Sequence, residues 1–459
     1  MRRPAEPSFL RPRGGCSLNN ARRFSYAVGD FGINLYFMSA MAFLLFFYTD
    51  VYGLSAAVAG GVFLVARIVD AVTDPVMGFI ADRTHSRWGK FRPYLLFGPL
   101  PLGLITVAMF TVPGFGDFGK LVWAYATYVL FGIAHTVVTI PYASMTAVLT
   151  DDYHERSRLT TWRIGCALAG GTVVTVGLGE LSDWLGGRVD RFQVTMIAFS
   201  VVATALLWVS FAGTEERIAP RAAQRLSLAK VTRALVANPP LIVVVALFTL
   251  GMLALTVRLT AAPYYFTYNM GRADLLGLYF GVTMPILLLG LIAVPWLSRR
   301  FGKAGGVRVG AVVAMIGAVG FYFTSPDNVP MVFVWGSVMA IGGAPIAVFG
   351  WAMIPDTVEY AEWRTGVRAP GLTFAEASFF QKIGKAVGGA GVAGLLAAFG
   401  YVANTPQSEG SLTAILWSMS LVPFAIQVLL VVVSLAYRLD EQEHGRIVET
   451  LKGRRDPAA

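Results

Sequence analysis

Arg67, Asp70 and Asp74 stand three and four residues apart in the run Ala-Arg-Ile-Val-Asp-Ala-Val-Thr-Asp-Pro, residues 66–75. On a helix that spacing lines all three side chains along one face. The surrounding residues are apolar enough to lie in a membrane, where an ionisable side chain is costly and normally faces a cavity or a partner. Two carboxylates one turn apart repel each other, so the pair calls for a proton or a cation between them. Hard cations such as Na⁺ favour oxygen ligands, and Thr73 beside Asp74, with Thr136 further along, supplies hydroxyls. A second account is an ion pair between Arg67 and Asp70 that only braces the bundle. It leaves Asp74 unexplained, so Asp70 and Asp74 are expected to hold Na⁺ or H⁺.

Other ionisable residues fall in apolar runs: Asp30, His135, Arg163, Arg258, Glu376, Lys382 and Lys385. They are spread over the length of the chain, as a central hydrophilic cavity requires. His135 could shuttle protons; a lone histidine among apolar residues is also satisfied by a simple hydrogen bond in the bundle. Asp356, Glu359 and Glu362 cluster near the end of an apolar run and suit gating salt bridges or a solvated cap.

The elements that must position these groups follow from composition. The chain has 459 residues, 56% hydrophobic and 14% charged, with a mean hydropathy of +0.62. A soluble chain carries about 25% charged residues. Apolar runs of roughly 20 residues or more, each long enough to span a bilayer, recur between residues 25 and 437, and twelve can be placed. The fold expected is an all-α integral membrane protein with twelve transmembrane helices in two six-helix halves. Its parts are a basic disordered tail at 1–23, a first half at 24–213, a central loop at 214–239, a second half at 240–438 and a tail at 439–459. The N-terminal stretch is basic and Pro/Gly-rich without an apolar core, unlike a cleavable signal peptide.

The net charge of +10 does not point to nucleic acid, because the basic residues crowd alternate loops. Arg83, Arg87, Lys90 and Arg92 lie in one such loop, and Arg299, Arg300 and Lys303 in another. That bias places those loops, and both termini, in the cytoplasm of a cell-membrane protein. Cys16 and Cys166 give no disulfide framework or metal pattern. No nucleotide-binding loop and no nucleophile or metal-ligand cluster appears, so neither an enzyme nor an ATP-driven pump is expected. No cofactor is expected beyond a coupling ion, and the expected partners are a small-molecule substrate, that cation and membrane lipid.

Gly78-Phe-Ile-Ala-Asp82-Arg83, continuing through Arg87 to Gly89-Lys90, has a weaker echo in Trp296-Leu-Ser-Arg-Arg-Phe-Gly-Lys303. The first copy resembles the signature loop of the major facilitator superfamily, in which an acidic residue beside basic ones ties helix ends together in one conformation. This gives Asp82, Arg83, Asp356 and Glu359 as gating candidates. A basic loop set by topology alone is the simpler account of either copy; their matching positions favour a repeat.

The run from Phe63 to Gly78, continuing from Ser86 to Pro93, closely resembles the glycoside–pentoside–hexuronide:cation symporters, a melibiose-permease-like family. Tyr48-Thr-Asp50-Val-Tyr-Gly-Leu54, Ile140-Pro-Tyr142, Tyr264-Tyr-Phe266, Asp356-Thr-Val-Glu359-Tyr-Ala-Glu362 and Lys382 extend the likeness. The resemblance implies sugar uptake driven by Na⁺, Li⁺ or H⁺ through a twelve-helix facilitator fold, by alternating access. Carried over by position, it implies Asp70, Asp74, Thr73 and Thr136 at the cation, and Arg163 and Lys382 at or near the sugar. Melibiose carriers of the family have aspartates where this chain has Asn34 and Thr139, a tryptophan where it has Ala143 and an asparagine where it has Thr73. Coupling is expected to survive these changes and galactoside recognition to be lost. Asn34, Arg67, Thr139, Arg163, Arg258, Tyr264 and Lys382 are the expected substrate residues. With the aspartates gone and Arg258 retained, an acidic sugar such as a hexuronide is one expectation; a neutral glycoside, with Arg258 paired to Glu376 or Asp30, is the other. A lipid or lysolipid carrier of the same fold is the alternative.

Overall fold

The computed structural model describes residues 19–150, 153–184, 188–216, 238–366, 370–439 and 441–455. Most of the expected basic tail, with Cys16, and most of the expected central loop lie outside them. The first part of the chain forms α1 (Asn20–Phe46), α2 (Ala56–Arg83), α3 (Arg92–Phe97), α4 (Pro99–Met109), α5 (Asp117–Leu149), α6 (Tyr153–Trp184) and α7 (Arg188–Gly213). The second forms α8 (Pro239–Tyr264), α9 (Leu275–Tyr322), α10 (Val329–Thr365), α11 (Pro370–Ala398), α12 (Glu409–Met419) and α13 (Leu421–Leu435), followed by α14 (Glu441–Arg455). Counted as spans, α3 with α4 makes one, α9 makes two and α12 with α13 makes one, giving the two sets of six of the major facilitator fold.

The local sequence explains most of the irregularities. Gly98 and Pro99 divide α3 from α4, because proline supplies no N–H to continue the ladder. The two spans of α9 meet at Gly302, whose φ of 69° is open to glycine and strained for other residues. Starts are marked by Asn238, Asn328 and Ser408, whose side chains accept from the amides of Leu241, Met331 and Ser411. α5 runs through Pro141 without a break. Pro263 stands at the end of α8, where the helix widens into a π turn over Tyr265–Asn269.

That π turn has a counterpart. Phe47–Val51 continues α1 in the same way, and the sequences Phe-Tyr-Thr-Asp-Val-Tyr-Gly (47–53) and Tyr-Phe-Thr-Tyr-Asn-Met-Gly (265–271) match in aromatic, threonine and glycine positions. Each turn closes with equivalent amides: Tyr52 N–H to Phe47 O and Leu54 N–H to Tyr48 O in one, Met270 N–H to Tyr265 O and Arg272 N–H to Phe266 O in the other. Gly53 and Gly271 both take positive φ, at 88° and 63°. The first helix of each half therefore ends in the same device, an internal repeat at the level of single hydrogen bonds.

The chain divides into two compact units, residues 1–40 with 65–223, and residues 41–64 with 224–459. The end of α1 and the start of α2 thus belong to the second unit. In the first, α6 approaches α1 where Gly170 meets the Phe31 carbonyl; a Cβ there would stand 2.6 Å from that oxygen. In the second, α9 and α10 cross at Gly310 and Gly342, where a Cβ on Gly342 would lie 2.5 Å from the Ala314 nitrogen. In lipid, where apolar burial gives little drive for helices to associate, such small residues let backbones pack closely. Val244, Leu247, Val307, Phe349, Met353 and Leu430 fill the core beside this crossing.

Candidate functional site

The charged face of α2 meets α5. Asp70 is buried, 4% exposed, and its carboxylate occupies the space left by a missing side chain: a Cβ on Gly132 of α5 would stand 2.5 Å from Asp70 Oδ1. One turn along, the Thr136 hydroxyl donates to Asp74 Oδ1 at 2.7 Å. The Thr73 hydroxyl donates to the Asp70 carbonyl at 3.4 Å. α2 and α5 therefore bring two carboxylates and a threonine hydroxyl together, a donor set suited to a hard cation or a proton. The side chains of Arg67 and Asp82 lie outside the described residues. Arg83 is exposed and its guanidinium lies 3.8 Å over the Phe79 ring.

The second constellation of this unit centres on Asp30. Arg163 of α6 donates from Nε to Asp30 Oδ2 at 2.5 Å and from one terminal nitrogen to Thr146 Oγ1 at 3.1 Å. The pair is mostly shielded, at 13% and 21% side-chain exposure. Two buried tyrosines frame it. Tyr26 donates to the Tyr142 carbonyl at 2.7 Å, Tyr142 returns a bond to the Tyr26 carbonyl at 2.6 Å, and the Tyr142 hydroxyl also lies 3.2 Å from Asp30 Oδ2. The guanidinium carbon sits 4.9 Å from the Tyr142 ring. Arg163, expected to bind substrate, is thus paired with Asp30. Asn34 and Thr139 bond back to their own helices, at the carbonyls of Asp30 and His135. His135 lies between the Phe37 and Phe131 rings, 5.7 Å from each.

Glu216, just beyond α7, is a residue sequence reasoning missed. Its carboxylate accepts from the amides of Lys90, Phe91 and Arg92 at 2.8, 2.7 and 3.1 Å. It thus caps the start of α3 and pins the signature loop. Only its position just after a hydrophobic run marks it in the sequence.

In the second unit, Asp50 is a buried carboxylate, 7% exposed, held by hydroxyls. Tyr401 donates to its two oxygens at 2.8 and 2.7 Å, Thr49 donates at 2.6 Å, and Tyr268 donates as well. Tyr264, expected at the sugar, is buried here and bonds the Thr49 hydroxyl at 2.7 Å. Asn404 donates to the Asp50 carbonyl at 2.7 Å. Asp50 and Tyr268 are equivalent positions of the two π turns, so the repeat brings matching residues into one cluster. Sequence reasoning quoted the Tyr48–Leu54 motif without giving Asp50 a task.

Two further acidic candidates also find partners within this unit. Lys303 donates to Asp356 at 2.8 and 2.5 Å, joining the Gly302 bend of α9 to α10. His444 of α14 meets Glu359 at 2.5 Å. Arg258 of α8 lines a cavity between α8, α9, α10 and α13, and contacts the Gly336 carbonyl at 3.4 Å. Lys382 is half-buried on α11.

The family described as MFS/sugar transport protein matches residues 25–441. The chain belongs to that family. It is 36% identical over 443 residues to an uncharacterized symporter, YnaJ, of Bacillus subtilis, covering 95% of this chain and 96% of that one. It is 35% identical over 430 residues to the isoprimeverose transporter of Lactiplantibacillus pentosus, covering 92% and 89%. Its fold is similar to the crystal structure of a D-xylose–proton symporter, with a TM-score of 0.66 at 15% identity over 92% of this chain and 98% of that one. The chain is therefore a multi-pass membrane protein of a transporter family, as the apolar runs and motifs imply.

Proposed function

We propose that this protein is a cation-coupled symporter of a sugar or glycoside in the cell membrane, with both termini cytoplasmic, and not an enzyme. The single observation that carries the reading is the α2–α5 contact, where Asp70 and Asp74 stand one turn apart beside Gly132 and Thr136. A cation or proton at the two carboxylates removes their mutual repulsion and lets α2 settle against α5. If substrate binds the same arrangement more tightly, each ligand raises affinity for the other by the same factor. The names of the related isoprimeverose transporter and symporter support both the sugar class and the coupling.

Substrate contacts are assigned to the polar wall around Asp30, Arg163 and Tyr142. A carboxylate already engaged by a guanidinium still has acceptor capacity for sugar hydroxyls. Asn34 and Thr139 line the same two helices, α1 and α5, and contribute neutral donors and acceptors.

Asp74→Asn tests the reading in proteoliposomes loaded with an imposed Na⁺ or H⁺ gradient, with isoprimeverose as the first sugar tried. Gradient-driven accumulation is expected to vanish, while exchange of sugar down its own gradient persists. Accumulation at the wild-type level under either gradient would place coupling elsewhere.

A further inference from the structure

The cavity between α8, α9, α10 and α13 has about 90 Å³ of free volume. It lies wholly in the second unit. Its walls are mainly apolar and sulfur-bearing, including Phe248, Met252, Phe280 and Met284, with no aspartate or glutamate among the described lining residues. Set into this lining are three polar groups with buried atoms that have no hydrogen-bond partner among the described residues: Arg258 Nε, Tyr279 Oη and Gln427 Oε1. Tyr279 is 2% exposed and Gln427 7%. Arg258 otherwise has one long contact, to the Gly336 carbonyl.

Buried donors and acceptors without partners are costly. A guanidinium carries five donors and a fixed charge; Arg258 is partly buried, and a donor such as its Nε, buried without a partner among the described residues, is costly to leave unmatched. A water can occupy part of the space, since one needs only about 10–15 Å³, but water brings no charge. A sugar fits the lining poorly, because most of its hydroxyls would be buried against methyl and ring carbons without partners. The complementary ligand has one delocalised anionic head and an apolar body.

We propose that this cavity is a binding site for a small aryl carboxylate, distinct from the sugar and cation sites. The carboxylate takes paired hydrogen bonds from the Arg258 fork and one from the Tyr279 hydroxyl. The ring lies among Phe248, Phe280 and the methionines, where sulfur–aromatic and ring-edge contacts are favourable. Arg258 thus serves an organic anion with a greasy body in place of a hexuronide.

The proposal is tested by direct binding, independent of any transport assay. The full-length protein in lipid nanodiscs is titrated with benzoate and with its neutral isostere benzamide, with protein-free nanodiscs as the partition control. Saturable benzoate binding is expected, with benzamide at least about tenfold weaker because the charge-assisted bonds to Arg258 are lost. Arg258→Gln should weaken benzoate by a similar factor and leave benzamide unchanged. Met284→Trp, which fills the cavity without touching the charge, should abolish binding of both and decides the matter if Arg258→Gln does not fold. Equal binding of benzoate and benzamide, no saturable binding beyond empty nanodiscs, or unchanged benzoate affinity in Met284→Trp overturns it. Competition of benzoate by a transported sugar would merge the cavity with the transport site and overturn the claim of a distinct site.

Discussion

Asp30 and Asp50 lie on the same span and its continuation, and both are shielded from solvent, yet they are held by different chemistry. Asp30 faces a guanidinium at 2.5 Å, and its charge is met by an opposite charge across α1 and α6. Asp50 faces phenol and threonine hydroxyls from the two π turns and Tyr401. An ion pair concentrates the interaction in one partner, so the loss of that partner strands the other charge. A ring of hydroxyls divides the interaction among several donors, so the loss of one leaves the rest in place. The two sites therefore differ less in how well they hold a carboxylate than in how they fail.

The largest effect is expected at the first site. Arg163→Leu leaves the Asp30 carboxylate buried without its counter-charge, a change that costs about 3–5 kcal/mol in comparable buried pairs. In a thermal melt of the purified protein this variant should be the least stable of the set. The double variant Asp30→Leu with Arg163→Leu should recover most of the loss, because it removes the stranded charge along with its partner. A melt of Arg163→Leu that overlays the wild type would show that Tyr142 suffices for Asp30. The contrast between the sites would then disappear.

Tyr401→Phe probes the second site and should cost less. It deletes a single donor, which contributes about 1.5–3 kcal/mol when the acceptor is charged, while Tyr268 and Thr49 still reach the carboxylate. Asp50→Asn keeps an acceptor oxygen for the surviving hydroxyls and should fall at or below the same loss. The measurement is again the melting temperature, in the same detergent and lipid. If Tyr401→Phe destabilises as much as Arg163→Leu, the hydroxyl ring is not redundant and Tyr401 alone holds the cluster.

What could be read from the sequence divides along the same line. Asp70 and Asp74 were legible because their relation is local: helical spacing alone sets them on one face, and the structure adds Gly132 opposite Asp70 and seats the expected Thr136 against Asp74. The spans were legible because the bilayer demands long apolar runs. The partner of Asp30 was not, since Arg163 stands 133 residues away and nothing in either neighbourhood selects the other. Asp50 meets Tyr268 and Tyr401 across separations of 218 and 351 residues. The repeat of Thr-Asp-Val-Tyr-Gly in Thr-Tyr-Asn-Met-Gly was visible in principle. Its register emerges only when the two π turns and their closing amides are seen together. Glu216 illustrates a third case. A carboxylate accepting three backbone amides has no side-chain partner type that a motif could encode, because amides are present at every non-proline residue.

The smallest effect is expected where the same Arg–Asp chemistry stands in water. Arg272 and Asp274, in the connection between α8 and α9, form a bidentate pair at 2.8–2.9 Å with both side chains 54% exposed. The hydrogen bonds from Arg272 hold the Asp274 carboxyl below its ordinary range. A carboxylate lowered in the folded state adds stability above its unfolded pKa and loses it as pH falls through the folded value. Here solvent screening and side-chain entropy leave little of that contribution, as for most exposed pairs. Asp274→Asn should therefore lower the melting temperature less than Tyr401→Phe at neutral pH. The remaining difference should close as the pH is taken below the carboxylate range, where the wild-type Asp274 is protonated and no longer answers Arg272. A drop comparable to that of Arg163→Leu would mean that exposure does not separate these pairs, and that the connection after the second π turn is braced by charge as strongly as the interior of the first unit.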